Sequence, residues 1–153
     1  MKTIILKKKI YKIFKKYNLS TSHAKICANA LINAELVGAY GHGLSRLRMY
    51  CERISKKVIN PKPKIKIKKI SQSIFHIDAD NSIGFVAADF AIKKAIECAK
   101  KTGIGLVAVK NSGHYGLSGY YAEQAVKKNL ITMIYTNAPP AIAPHGANTR
   151  LCG

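Results

Sequence analysis

Two short stretches carry side chains that can do chemistry at close quarters. The first is Gly41-His42-Gly43-Leu44-Ser45-Arg46. A histidine between two glycines is sterically open, and Arg46 at the start of a predicted helix offers a planar fork for a carboxylate while His42 exchanges a proton. The second is Asn111-Ser112-Gly113-His114-Tyr115-Gly116-Leu117-Ser118-Gly119, which follows the apolar run Ile104 to Val109 and opens another predicted helix. Glycines there allow close backbone approach, and a helix start presents free N–H groups to an anion such as a cofactor pyrophosphate. The spacing is GxxGxxG, and Glu123 follows too early to serve as a ribose-binding carboxylate, so this is not the Rossmann fingerprint. Each stretch also has a purely conformational reading: a histidine capping a helix end, and a glycine-rich turn between strand and helix. His23, beside a helix start, and His76, within a strand, are expected to be structural; His145, in the Pro-containing loop Ala138 to Ala147, is assigned no role.

Other chemistries lack their residues. There is no GxSxG, and Cys27, Cys51, Cys98 and Cys152 stand singly with no CxxC pair, so neither a serine or cysteine hydrolase, a zinc site nor a disulfide framework is indicated. Such cysteine usage fits a reducing compartment, and a cytoplasmic location is expected. The apolar stretch in the first residues is too short for a signal peptide. The charge-free run from Asn129 to Thr149 holds three prolines and a histidine, which excludes a membrane span.

The elements that must hold the two stretches follow from periodicity. Leu6, Ile10, Ile13, Phe14 and Tyr17 lie on one face of a helix over residues 4–17. Ser20 is a natural N-cap for a second helix over 21–37, and Gly38, Gly41 and Gly43 break it. A third helix is expected over 44–58, ended by Asn60-Pro61-Lys62-Pro63. That Pro-containing segment divides a helical portion (1–60) from the first part of an α/β cofactor-binding domain (61–153). Strands are expected over 64–70, 73–78, 104–110 and 130–136, with helices over 84–102, closed by Gly103, and 119–128. This alternation predicts an α/β fold.

The net charge of +19 raises nucleic-acid binding as a hypothesis. Yet only four of the 26 basic residues are Arg, and the lysines are spread along the chain together with 20 Ile, as codon bias in an AT-rich genome would produce. Base reading and phosphate forking favour arginine clusters, so no specific nucleic-acid partner is expected.

Taken in order, GHGLSRLRMY (41–50), DADNSIGFVAA (78–88), GIGLVAVKNSGHYGLSGYYAEQAV (103–126) and TNAPPAIAPHGA (136–147) resemble the type 2 malate/L-lactate dehydrogenase family, which also contains ureidoglycolate and sulfolactate dehydrogenases and diketogulonate reductases. The resemblance implies a mixed-sheet, non-Rossmann α/β fold and hydride transfer between NAD or NADP and a 2-hydroxy or 2-oxo acid such as malate or lactate, in a homodimer. By the same resemblance His42 exchanges the proton at the substrate oxygen, Arg46 holds the substrate carboxylate, and His114, Tyr115, Gly116, Leu117 and Ser118 line the cofactor. Some members give the acid/base role to the histidine at position 114, so both His42 and His114 are candidates. Gly41 stands where the family usually has Ser, and Ala138 where many members have Ser. Family chains run on past a Thr-Asn-Pro motif to about twice this length, so the chain is expected to be an N-terminal fragment. The competing expectation is an inactive remnant that acts at most as a basic binding module.

Overall fold

The structure is a computed structural model and describes residues 2–151; the lone Cys152 noted in the sequence lies outside the described residues. Helix α1 (Lys2–Lys16) and helix α2 (Thr21–Leu36) form an antiparallel pair. The expected apolar face of α1 is the one that packs, with Ile10 and Phe14 fully buried. Each such side chain contributes about 1.5–3 kcal/mol by leaving water. Ser20 caps α2 as expected, its hydroxyl accepting the His23 amide at 3.1 Å.

The third helix is shorter than expected. Gly41 and Gly43 sit in two consecutive 3-10 turns, Tyr40–His42 and Leu44–Arg46, and helix α3 covers only Leu47–Ser55. The Leu44 amide is taken by the Glu35 carboxylate of α2 at 2.6 Å, and the Ser45 hydroxyl donates to the Tyr40 carbonyl at 2.6 Å. These side-chain bonds hold the tighter turns where the hydrophobic period alone suggests a regular helix.

Strands β1 (Lys66–Lys69), β2 (Ile74–Ser82) and β3 (Leu106–Ser112) form a mixed sheet in that order, with β1 antiparallel and β3 parallel to β2. Helix α4 (Gly84–Thr102) makes the crossover from β2 to β3, and Gly103 closes it in the left-handed conformation. Helix α5 (Ser118–Val126) follows β3. β2 runs beyond its expected end because Asp78 and Asp80 hold an irregular turn inside it. Asp78 accepts the Asp80 amide and the Asn111 side chain of β3, while Asp80 accepts the Asn60 side chain and the Lys64 amide. The main apolar cluster joins α1, α2 and α3 to Ile83, Phe85 and Val86 at the start of α4, so it draws on both sides of Pro61.

The expected strand over 130–136 does not form. Leu130 and Ile134 pack on Ile92, Tyr121 and Ala125, while Ile131, Met133 and Tyr135 face outward. The side chains alternate as a strand requires, but among the described residues no neighbouring backbone takes the amides of residues 131–136. Alternation sets which face is buried, whereas a strand also needs a chain beside it. No helix among the described residues is long and apolar enough to cross a membrane.

Removal of the Ser20 hydroxyl should cost about 1 kcal/mol through loss of the α2 cap. Urea denaturation of Ser20→Ala against the unaltered chain checks this, and Ser20→Asp should retain the stability.

Candidate functional site

The two glycine-flanked histidines, distant in sequence, meet in space. His42 and His114 lie nearly parallel, with ring centroids 5.8 Å apart and planes 10° from one another. His42 comes from the first 3-10 turn, and His114 from the loop between β3 and α5. That loop leaves the sheet at the carboxyl ends of two parallel strands, the usual location of ligand crevices in open α/β sheets.

The loop is seated by two glycines. A Cβ on Gly84, the first residue of α4, would run into the backbone of Gly113 and His114. Gly116 has φ of +80°, and a Cβ there would come within 2.6 Å of the Phe85 ring. Tyr121 of α5 donates its hydroxyl to the Tyr115 carbonyl at 2.9 Å, and the Tyr115 and Ser118 hydroxyls are 3.0 Å apart. Loop residues 113–118 are thereby half-buried and fixed from both sides.

Tyr50 is a member of this site that the sequence did not single out. It appears there only as one apolar position on α3, yet its hydroxyl lies 2.6 Å from His114 Nδ1, across 64 residues of chain. Tyr50 is fully buried and packs at 4.8 Å on Phe85. Burial pushes its phenol far above the usual range, so it remains neutral. The only sequence signal available was its place four residues after Arg46, a helical spacing that sets the two on adjoining turns.

Charge in the site is one-sided. Arg46 Nε donates to the Gly41 carbonyl at 2.8 Å, which ties the guanidinium to the turn bearing His42. Among the described residues, neither Arg46 nor Arg53 pairs with a carboxylate. His114 is held below the ordinary histidine pKa by burial first, and then by the positive field of His42, Arg46 and Arg53. His42 Nδ1 is sealed from solvent and has no partner among the described residues, and Gly41 beside it brings no hydroxyl. The amides of residues 114–119 also find no acceptor among the described residues. Unpaired donors around an unpaired positive charge suit an anion with several oxygens, which is what the phosphates of a dinucleotide and a substrate carboxylate have in common.

This arrangement coincides with a match of residues 2–153 to the family model described as malate/L-lactate dehydrogenase. The chain belongs to that family. It is 39% identical over 147 residues to L-sulfolactate dehydrogenase of Methanocaldococcus jannaschii, covering 96% of this chain and 43% of the relative. It is 42% identical over 144 residues to malate dehydrogenase of Pyrococcus abyssi, covering 94% of this chain and 40% of the relative. The solved malate dehydrogenase of Pyrococcus horikoshii OT3 superposes with a TM-score of 0.86 at 35% identity, over 97% of this chain and 42% of that one. The chain thus spans about two fifths of the length of the family relatives it matches.

Of the remaining histidines, His23 sets its ring edge-on to Phe90 with centroids 6.5 Å apart, and His76 is exposed on β2. His145 lies in the turn where the Ala147 amide bonds the Pro144 carbonyl, in a different part of the chain from the paired imidazoles.

Both His23 and His114 have pKa values lowered in the folded state, chiefly by burial. The unfolded chain therefore binds these protons more readily, and stability should be complete above the ordinary histidine pKa of about 6.5 and decline as the pH falls below it. Urea midpoints measured from pH 7.5 down to 5 should drop, and His114→Gln should flatten that dependence.

Proposed function

We propose that the complete protein transfers a hydride between a nicotinamide dinucleotide, NAD or NADP, and a 2-hydroxy or 2-oxo acid. The observation that carries the reading is the parallel imidazole pair beside an arginine with no carboxylate partner. Such a site offers a carboxylate a fork and the neighbouring oxygen a proton-exchanging ring in one place. Malate and sulfolactate, named for the relatives, both carry a second acidic group next to the 2-hydroxy acid, and the combined field of Arg46 and Arg53 suits such dianions.

The residues take the following roles in this reading. Arg46 binds the carboxylate, and its Nε bond to Gly41 leaves the terminal nitrogens free to fork. His42 exchanges the proton at the carbon-bound oxygen. His114, Tyr115, Gly116, Leu117 and Ser118 form one wall of the cofactor cleft, and the unused amides of residues 114–119 receive its phosphates. When bound, the cofactor supplies or accepts the hydride at its nicotinamide ring. Mutual repulsion within the histidine pair ensures that no more than one of the two rings readily holds an extra proton. Residues 61–153 then form the first part of the cofactor domain, the work of the second part falling to segments present in the longer relatives, and the family's dimer supplies the natural assembly.

Two substitutions test the reading in a version extended to the relatives' length, assayed by NADH and NADPH oxidation with oxaloacetate, pyruvate and sulfopyruvate. Arg46→Lys should raise KM for the keto acid and lower kcat/KM by about 1–3 kcal/mol equivalent, because an ammonium cannot fork a carboxylate. Unchanged kcat/KM on every substrate would remove Arg46 from the site.

His42→Ala should lower kcat by about 10²-fold or more, the usual contribution of a positioned acid/base group. A mild effect there together with a severe one in His114→Ala would transfer the proton to His114.

A further inference from the structure

The Tyr50 hydroxyl is the one buried group in the site whose role the proposed reaction leaves open. It has two hydrogen-bonding arrangements available with His114. Either Tyr50 donates its proton to Nδ1, or Nδ1–H donates to the Tyr50 oxygen. In the second case the phenolic proton is left over, and among the described residues no other acceptor reaches it. A buried donor without an acceptor is costly, so the first arrangement is favoured. We propose that Tyr50 is a positioning residue that donates to His114 Nδ1 and so keeps the ring proton on Nε2, where His114 acts as a hydrogen-bond donor to a ligand oxygen. His114 Nε2 has no partner among the described residues and is not sealed from solvent, so it is available to such an oxygen.

The surroundings act in the same direction. A second proton on His114 would have to enter at Nδ1, displacing the Tyr50 donor, and it would meet His42, Arg46 and Arg53 nearby; the remaining neighbour that titrates against Tyr50, Cys27, is a buried thiol whose pKa is raised, so it contributes no compensating negative charge. His114 therefore stays neutral and donates, while proton exchange falls to His42. The donor role toward substrate rests on the reading proposed above; the tautomer does not.

Side-chain ¹⁵N spectra of histidines in the 153-residue chain, assigned with His114→Gln, measure the tautomer directly. At pH 7.5 His114 should carry its proton on Nε2 in a ratio of about ten to one or more, consistent with an unmade buried hydrogen bond on the alternative. Tyr50→Phe, which keeps the ring and its packing on Phe85, should bring the ratio to within about threefold of unity. In the extended enzyme the same variant should lower kcat several-fold with KM for the keto acid changed less than twofold. A predominantly Nδ1–H His114 in the unaltered chain would overturn the proposal, and this arm needs no variant to fold. An unchanged ratio in a folded Tyr50→Phe would overturn it as well. The expected tautomers in a protein that reduces no keto acid would uphold the Tyr50 assignment and remove the proposed reaction instead.

Discussion

The site depends on one close approach of two backbones. Gly84 begins α4 directly against the main chain of Gly113 and His114, at a separation no side chain would permit. The contact joins the turn after β2 to the loop after β3, and it sets the height at which His114 leaves the sheet. From that height the imidazole reaches Tyr50 on one side and His42 on the other. Phe85, next to Gly84, then packs on both Tyr50 and the Gly116 turn. The arrangement closes on itself, and each functional side chain is held by a neighbour whose own position is fixed by packing.

Electrostatics in this chain is governed by where its few acids lie. The seven carboxylates are committed to other work. Glu35 binds the Leu44 amide, Asp78 and Asp80 hold the turn within β2, and Glu52, Asp89, Glu97 and Glu123 pair with cations on their own helices. Exposed pairs of that kind contribute little stability, about 0.3–0.5 kcal/mol each. Their larger consequence is that none stands beside Arg46, Arg53 and the two histidines. A +19 chain is thus locally selective: positive potential is left uncompensated where an anion can dock, and the dispersed lysines elsewhere are solvated.

Much of the framework was legible because it is governed by residues close together in sequence. The face of α1, the Ser20 cap of α2, the Gly103 stop of α4 and the edge position of the Lys-rich β1 all rest on spacings of a few residues, and the structure has each of them. Departures occur where a distant group intervenes. Glu35 captures the Leu44 amide and shortens α3, and Asp78 reaches Asn111 across the sheet and prolongs β2 into an irregular end. Residues 130–136 have strand alternation but no strand, since pairing is a property of two segments and alternation of one.

The sequence by itself determined the α/β class, the order of the elements and the two glycine-flanked stretches that carry His42, Arg46 and His114, because residue type and short-range period are local quantities. Only the tertiary structure decided that the two stretches face each other, that Tyr50 and not a neighbouring acid holds His114, and that Gly84 must lack a side chain. Each of those rests on a contact between segments tens of residues apart, whose geometry is fixed by how α3, α4 and the sheet pack together. No spacing along the chain encodes that distance.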